Sequence, residues 1–146
     1  MSTQSTYSEK DLVPVSEREA REGYADWRQY DGQRIKSTDS PIIYLVINGV
    51  RHAIPDSFTY ENLFVSWSGV KVSNPLCSRI PPSTTLTNGA YLAQGVPSGT
   101  KYLVTNGVKR VIPDESTFEN FYFNSNKVQS ISDSILNSIS WGEDIG

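Results

Sequence analysis

The chemistry open to this chain is set by a short list of side chains: one histidine, one cysteine and sixteen Asp or Glu residues in 146. A thiol nucleophile needs a base and a group that orients the base. Cys77 has only His52 to serve it and follows Leu76, so it reads as a small core hydrophobe. One Cys and one His cannot complete a zinc site, and a lone Cys forms no internal disulfide. There is no G-x-S-x-G turn and no phosphate-cradling glycine loop. Asp56 and Asp114 are a carboxylate pair that a symmetric fold would face across an axis for glycoside hydrolysis. Each follows Ile-Pro at the start of a helix-like stretch, however, and a helix N-cap accounts for both. The expectation is a protein that binds without catalysing, with no metal and no cofactor.

What remains is a set of aromatic and basic side chains suited to binding. Tyr44 and Arg51 fall on one face of a predicted hairpin, and Tyr102 with Lys109 on the matching face of a second. A ring takes the apolar face of a sugar, and a neighbouring cation takes hydroxyls or carboxylates. The competing structural reading lays the basic stem over the ring with its head on an acidic neighbour. His52 and Arg110 lie on the opposite face, among Leu45, Ile54, Leu103 and Ile112. A polar head there marks a pocket, a contact between units, or a satisfied residue at the sheet margin. Trp67, in a loop after a helix, and Trp141, near the C-terminus, complete the candidates. An exposed loop Trp binds, and a buried one fills core.

These positions recur because the chain writes one phrase twice. Tyr44–Phe64 laid on Tyr102–Tyr122 gives twelve identities, and the match continues after one inserted residue. Such self-similarity sets architecture before any local reading. Asn48-Gly49 and Asn106-Gly107, between β-branched runs, predict type I′ hairpins pairing Leu45 with His52 and Tyr44 with Ala53. A short strand, "QRIKS" or "AYLAQ", flanks each hairpin. Pro55 and Pro113 stop the ladder. Helices follow at about 57–64 and 115–123, with Phe58, Leu63, Phe118 and Phe121 directed at the core, and an irregular, partly helical tail closes each unit.

The predicted fold is β-rich α+β: two tandem units, each a β-hairpin in a three-stranded sheet plus a short helix, packed about a pseudo-twofold axis. The boundaries are 31–87 and 88–146, forming one compact domain. Residues 11–30 resemble the tail of a third unit and read as an N-terminal cap, with a capping box at Ser16 and Glu19. Residues 1–10 are polar and expected to be disordered.

The pattern Y-L-V-x-N-G-V-[KR]-[RH]-x-I-P-D-x-x-T-[FY] resembles a short tandem repeat of bacterial secreted and cell-wall-associated proteins. There it often accompanies catalytic domains acting on glycans or peptidoglycan. The resemblance covers about 31–146 and implies a lectin-like accessory module. His52 departs from the pattern, which has Arg there, as Arg110 does.

A net charge of -3 argues against a general binder of nucleic acid. No apolar run approaches the roughly 20 residues of a membrane span, and no leader is legible in "MSTQSTYSEKDLVPV". The chain therefore reads as a soluble protein, cytoplasmic as written, and extracellular if released or if a leader was removed. The first expectation is a non-enzymatic, bivalent carbohydrate-binding protein whose partner is a glycan or cell-wall polysaccharide. The alternative is a protein-interaction or structural scaffold module that homo-oligomerises, a homodimer being one such assembly.

Overall fold

A computed structural model describes residues 12–14 and 26–146 of the chain. The expected disordered segment 1–10, the capping box at Ser16 and most of the expected cap lie outside the described residues. The described chain opens with β1 (Leu12–Pro14) and a 3-10 turn at Trp27–Tyr30. The first repeat then runs β2 (Arg34–Lys36), β3 (Tyr44–Ile47), β4 (Val50–Ala53), α1 (Ser57–Leu63), β5 (Val70–Val72) and α2 (Asn74–Arg79). The second runs β6 (Tyr91–Val96), β7 (Lys101–Thr105), β8 (Val108–Ile112), α3 (Glu115–Asn120), β9 (Gln129–Ser132), α4 (Asp133–Leu136) and β10 (Ser140–Trp141).

The local chemistry of the repeat accounts for these elements. Asn48 and Gly49 have φ of 53° and 80°, and Asn106 and Gly107 have 55° and 76°. Those paired positive values are what a type I′ turn demands and what Asn-Gly tolerates. The turns fix the registers Leu45 opposite His52 and Leu103 opposite Arg110. Beyond each Pro, the Asp carboxylate accepts a helix N–H: Asp56 from Thr59 and Asp114 from Thr117, each at 2.7 Å. Ser73 and Ser132 cap α2 and α4 in the same way.

Among the described residues there are two five-stranded sheets, ordered β1-β5-β2-β3-β4 and β10-β8-β7-β6-β9. Each expected three-stranded piece gains a parallel strand after its helix, β5 beside β2 and β9 beside β6. The chain then returns along the far edge of the hairpin. Pro82 bridges Arg51, and Trp141 in β10 pairs with Lys109. The tails expected to be irregular therefore hold ordered strands. β1 adds to the first sheet beside β5, with Leu12 opposite Val70.

The two units meet about a pseudo-twofold axis. Phe64 and Phe123 form an antiparallel bridge. Val65 N–H donates to Tyr122 O at 3.0 Å, and Asn124 N–H donates to Leu63 O at 2.8 Å. One core joins both repeats: Leu45, Ile54 and Phe64 from the first pack with Leu103, Ile112 and Phe123 from the second. Each sheet's other face has its own cluster, built with Leu76 and Cys77 of α2 or Leu136 of α4. Neither sheet closes its inner face without the other, which makes the fold β-rich α+β with one shared centre.

One expected core residue is corrected. Phe58 is 66% exposed. α1 turns Thr59, Tyr60 and Leu63 inward, so Phe58, in its first turn, points to the outer side. Ser116 holds the matching place in the second repeat.

Candidate functional site

The two Tyr-plus-cation pairs form as the hairpin registers require. The Arg51 guanidinium sits 4.7 Å from the Tyr44 ring centroid, and Lys109 Nζ lies 5.9 Å from Tyr102 and 4.1 Å from Trp141. Their heads meet backbone rather than the acidic neighbour of the structural reading. Arg51 Nε donates to Ile80 O at 2.9 Å, while Lys109 Nζ donates to Leu136 O at 2.7 Å and Ile139 O at 2.9 Å. Ile80 and Ile139 are matching positions just beyond α2 and α4, where helix carbonyls lack intrahelical partners. Lys109 is 1% and Tyr102 7% exposed, so the second pair is covered by its own return segment. Tyr44 and Arg51 are half-buried.

The two candidate tryptophans part company. Trp141 is 65% exposed and lies over Lys109. Trp67 is half-buried: it stacks on Tyr60 at 3.8 Å, and its Nε1–H donates to Glu61 at 3.1 Å.

His52 and Arg110 line one groove between the two hairpin tips. His52 Nδ1 lies 2.7 Å from Thr84 O, and Arg110 Nε donates to Glu143 O at 2.9 Å. Thr84 and Glu143 are matching positions, so each residue anchors the return loop of its own repeat. The hairpin asparagines do the reverse and clasp the other repeat. Asn48 Nδ2 donates to Asp144 O, and Asn106 Nδ2 to Thr85 O, both at 2.8 Å. In the sequence, Asn48 and Asn106 report only the turn. The signal for more was that both copies hold Asn, although Asp-Gly serves the turn equally well. The groove encloses about 780 Å³, and Arg28 from the N-terminal turn also borders it.

Replacing Arg by His in the first repeat keeps the loop bond and changes what faces the groove. A carbonyl only accepts, so His52 carries its proton on Nδ1, leaving Nε2 as an acceptor. That nitrogen is buried and has no hydrogen-bond partner among the described residues. Burial pushes the imidazole's pKa below its ordinary value; the Thr84 bond opposes this, and the Arg110 charge adds to it. The ring is therefore neutral at neutral pH. Burial also lowers the Arg110 pKa, with Glu143 opposing; its Nη2 lies 4.0 Å from Glu143 Oε1. His52, with its buried acceptor nitrogen, and the cationic Arg110 thus both line a polar groove to which the two repeats contribute.

Elsewhere, no group of three His, Cys, Asp or Glu among the described residues is placed to hold a metal ion. Burial pushes the Cys77 thiol up to about 11, which keeps it protonated and inert. No helix among the described residues is long and apolar enough to cross a membrane. Compared with protein-family models, curated proteins and solved structures, the chain matches none.

Proposed function

We propose that the protein is a non-catalytic binding module for a hydroxyl-rich ligand, a glycan or cell-wall polysaccharide, held in the groove between the hairpin tips. The carrying observation is His52 Nε2, without a hydrogen-bond partner among the described residues, on a residue that lines the groove together with Arg110. A sugar hydroxyl both donates and accepts, so it suits an acceptor next to a donor. A volume of about 780 Å³ falls within the roughly 300–1,000 Å³ of small-ligand sites. The twin platforms at Tyr44 and Tyr102 support the reading less, because return segments occupy their cations. Isothermal titration with cell-wall glycan fragments tests the proposal. His52→Ala is expected to weaken binding about fivefold, the worth of one hydrogen bond. Unchanged affinity in that variant, or no heat with any fragment, would sink it.

A second reading, the self-associating scaffold, draws on one observation. The outer edge of β9 has no strand partner among the described residues, whereas the matching edge of β5 is covered by β1. Open edges template pairing. Light scattering that shows a monomer across the accessible concentration range would remove this reading.

A further inference from the structure

Aligned by their ladders, the two repeats differ sharply at one interior position. Arg34 pairs with Leu45, and Leu92 pairs with Leu103. Leu92 is 0% exposed and Arg34 3%. The same fold thus accepts leucine where the first repeat buries a guanidinium, a desolvation that packing does not require. Its neighbours differ in step. Tyr60, where the second repeat has Phe118, accepts from Arg34 Nη1 at 2.6 Å, and Ser66 O accepts from the same nitrogen at 2.9 Å. The guanidinium lies 5.6 Å from the Phe64 ring and 4.9 Å from Tyr122. Tyr122 is the extra residue of the second repeat, held in the left-handed region at φ 57°. Separate breaks in the repeat therefore meet at one spot.

The partners of Arg34 are lopsided. Among the described residues, Nη1 makes both hydrogen bonds, Nε is buried with none, and Nη2 makes none. Nε and Nη2 form the edge that grips a carboxylate or phosphate with two parallel bonds. No carboxylate among the described residues pairs with Arg34. Nη2 faces Gly69, where a Cβ would come within 3.0 Å of it. The Lys71 side chain, on the adjacent β5, likewise has neither ion pair nor hydrogen bond among the described residues. These groups, with Ser66, Ser68 and Tyr122, line a pocket of about 390 Å³.

We infer that this pocket binds an oxyanion, the carboxylate or phosphate group of a small ligand, with the Arg34 Nε–Nη2 edge as the fork and Lys71 as the second charge. Tyr60 and Ser66 fix the guanidinium plane through Nη1, and the Tyr122 ring covers it. The site is separate from the groove at His52, and failure of glycan binding there leaves it standing.

The test is a titration of the Arg34 Nε–H resonance by ¹H–¹⁵N NMR with inorganic phosphate and, separately, with acetate, at ionic strength fixed by chloride. A saturable shift is expected. Saturation by phosphate at lower concentration identifies a phosphate ligand, and saturation by acetate at equal or lower concentration a carboxylate. Lys71→Gln is expected to weaken the response about fivefold. Arg34→Leu with Tyr60→Phe copies the pair the second repeat already uses, so it folds, and its thermal midpoint loses any dependence on the anion. The proposal is overturned by a shift linear in both anions up to about 50 mM, which marks adventitious ions only. It is equally overturned by an anion-dependent midpoint that survives in the double variant.

Discussion

At the scale of single residues, the repeat serves as an internal control. Where the copies agree, the residue has a structural duty that can be named: Asn-Gly turns, Pro stops, Asp caps. Asp56→Ala is expected to cost about 1 kcal/mol in chemical denaturation, the usual worth of a helix cap. Where the copies differ, the difference carries information. His52 has a folded pKa below its ordinary value because it is buried. The unfolded chain therefore binds the proton more readily. Its contribution to stability is complete above about pH 6.5 and is lost as pH falls through the lowered folded pKa. His52→Arg restores the residue of the second repeat and keeps a donor for Thr84 O. The two stability–pH curves should run parallel above about pH 6.5, and the histidine protein should lose stability relative to the variant as pH falls below it. Parallel curves across pH 5 to 7 would mean that His52 is not buried neutral.

At the scale of elements, the two long cations act as struts between a hairpin and the segment that returns beside it. Lys109→Met removes the ammonium donor from the Leu136 and Ile139 carbonyls, leaving Leu136 O with the Ile139 N–H, and should cost about 2 kcal/mol. Lys109→Arg should be nearly neutral, since Arg51 already does this work in the first repeat. Urea midpoints of the two variants check the contrast; equal losses would contradict the strut. The hairpins, their registers and the capped helices were legible in the sequence because each rests on contacts within a few residues. β5 and β9 were not. They are three and four residues long, and they pair in parallel with strands that lie 36 residues back in the chain, as Ile35 with Lys71 and Ala93 with Gln129. No alternating pattern reports such a pairing. Phe58 misled for a related reason, since hydrophobicity alone does not say which side of a two-turn helix faces in. The burial of Lys109 was hidden because the segment that covers it arrives about thirty residues later.

At the scale of the whole molecule, the axis through Phe64 and Phe123 explains why the phrase is written twice. Each hairpin supplies half of a core, and each turn asparagine clasps the other repeat. Unfolding should therefore be a single transition, and Phe123→Ala should lower the stability of both repeats together by about 3–5 kcal/mol. Hydrogen exchange would check this: amides of β3 and β7 should lose protection in parallel. The groove belongs to this scale too, because neither repeat makes it alone. The proposed ligand contact there is Nε2 of the imidazole that departs from the repeat. The most direct measurement is the ¹⁵N spectrum of the His52 ring, with and without cell-wall glycan fragments. A proton on Nδ1 is expected in the free protein, with an Nε2 signal that moves saturably as the ligand is added. A proton on Nε2, or an Nε2 signal unmoved by a ligand that binds elsewhere, would contradict it.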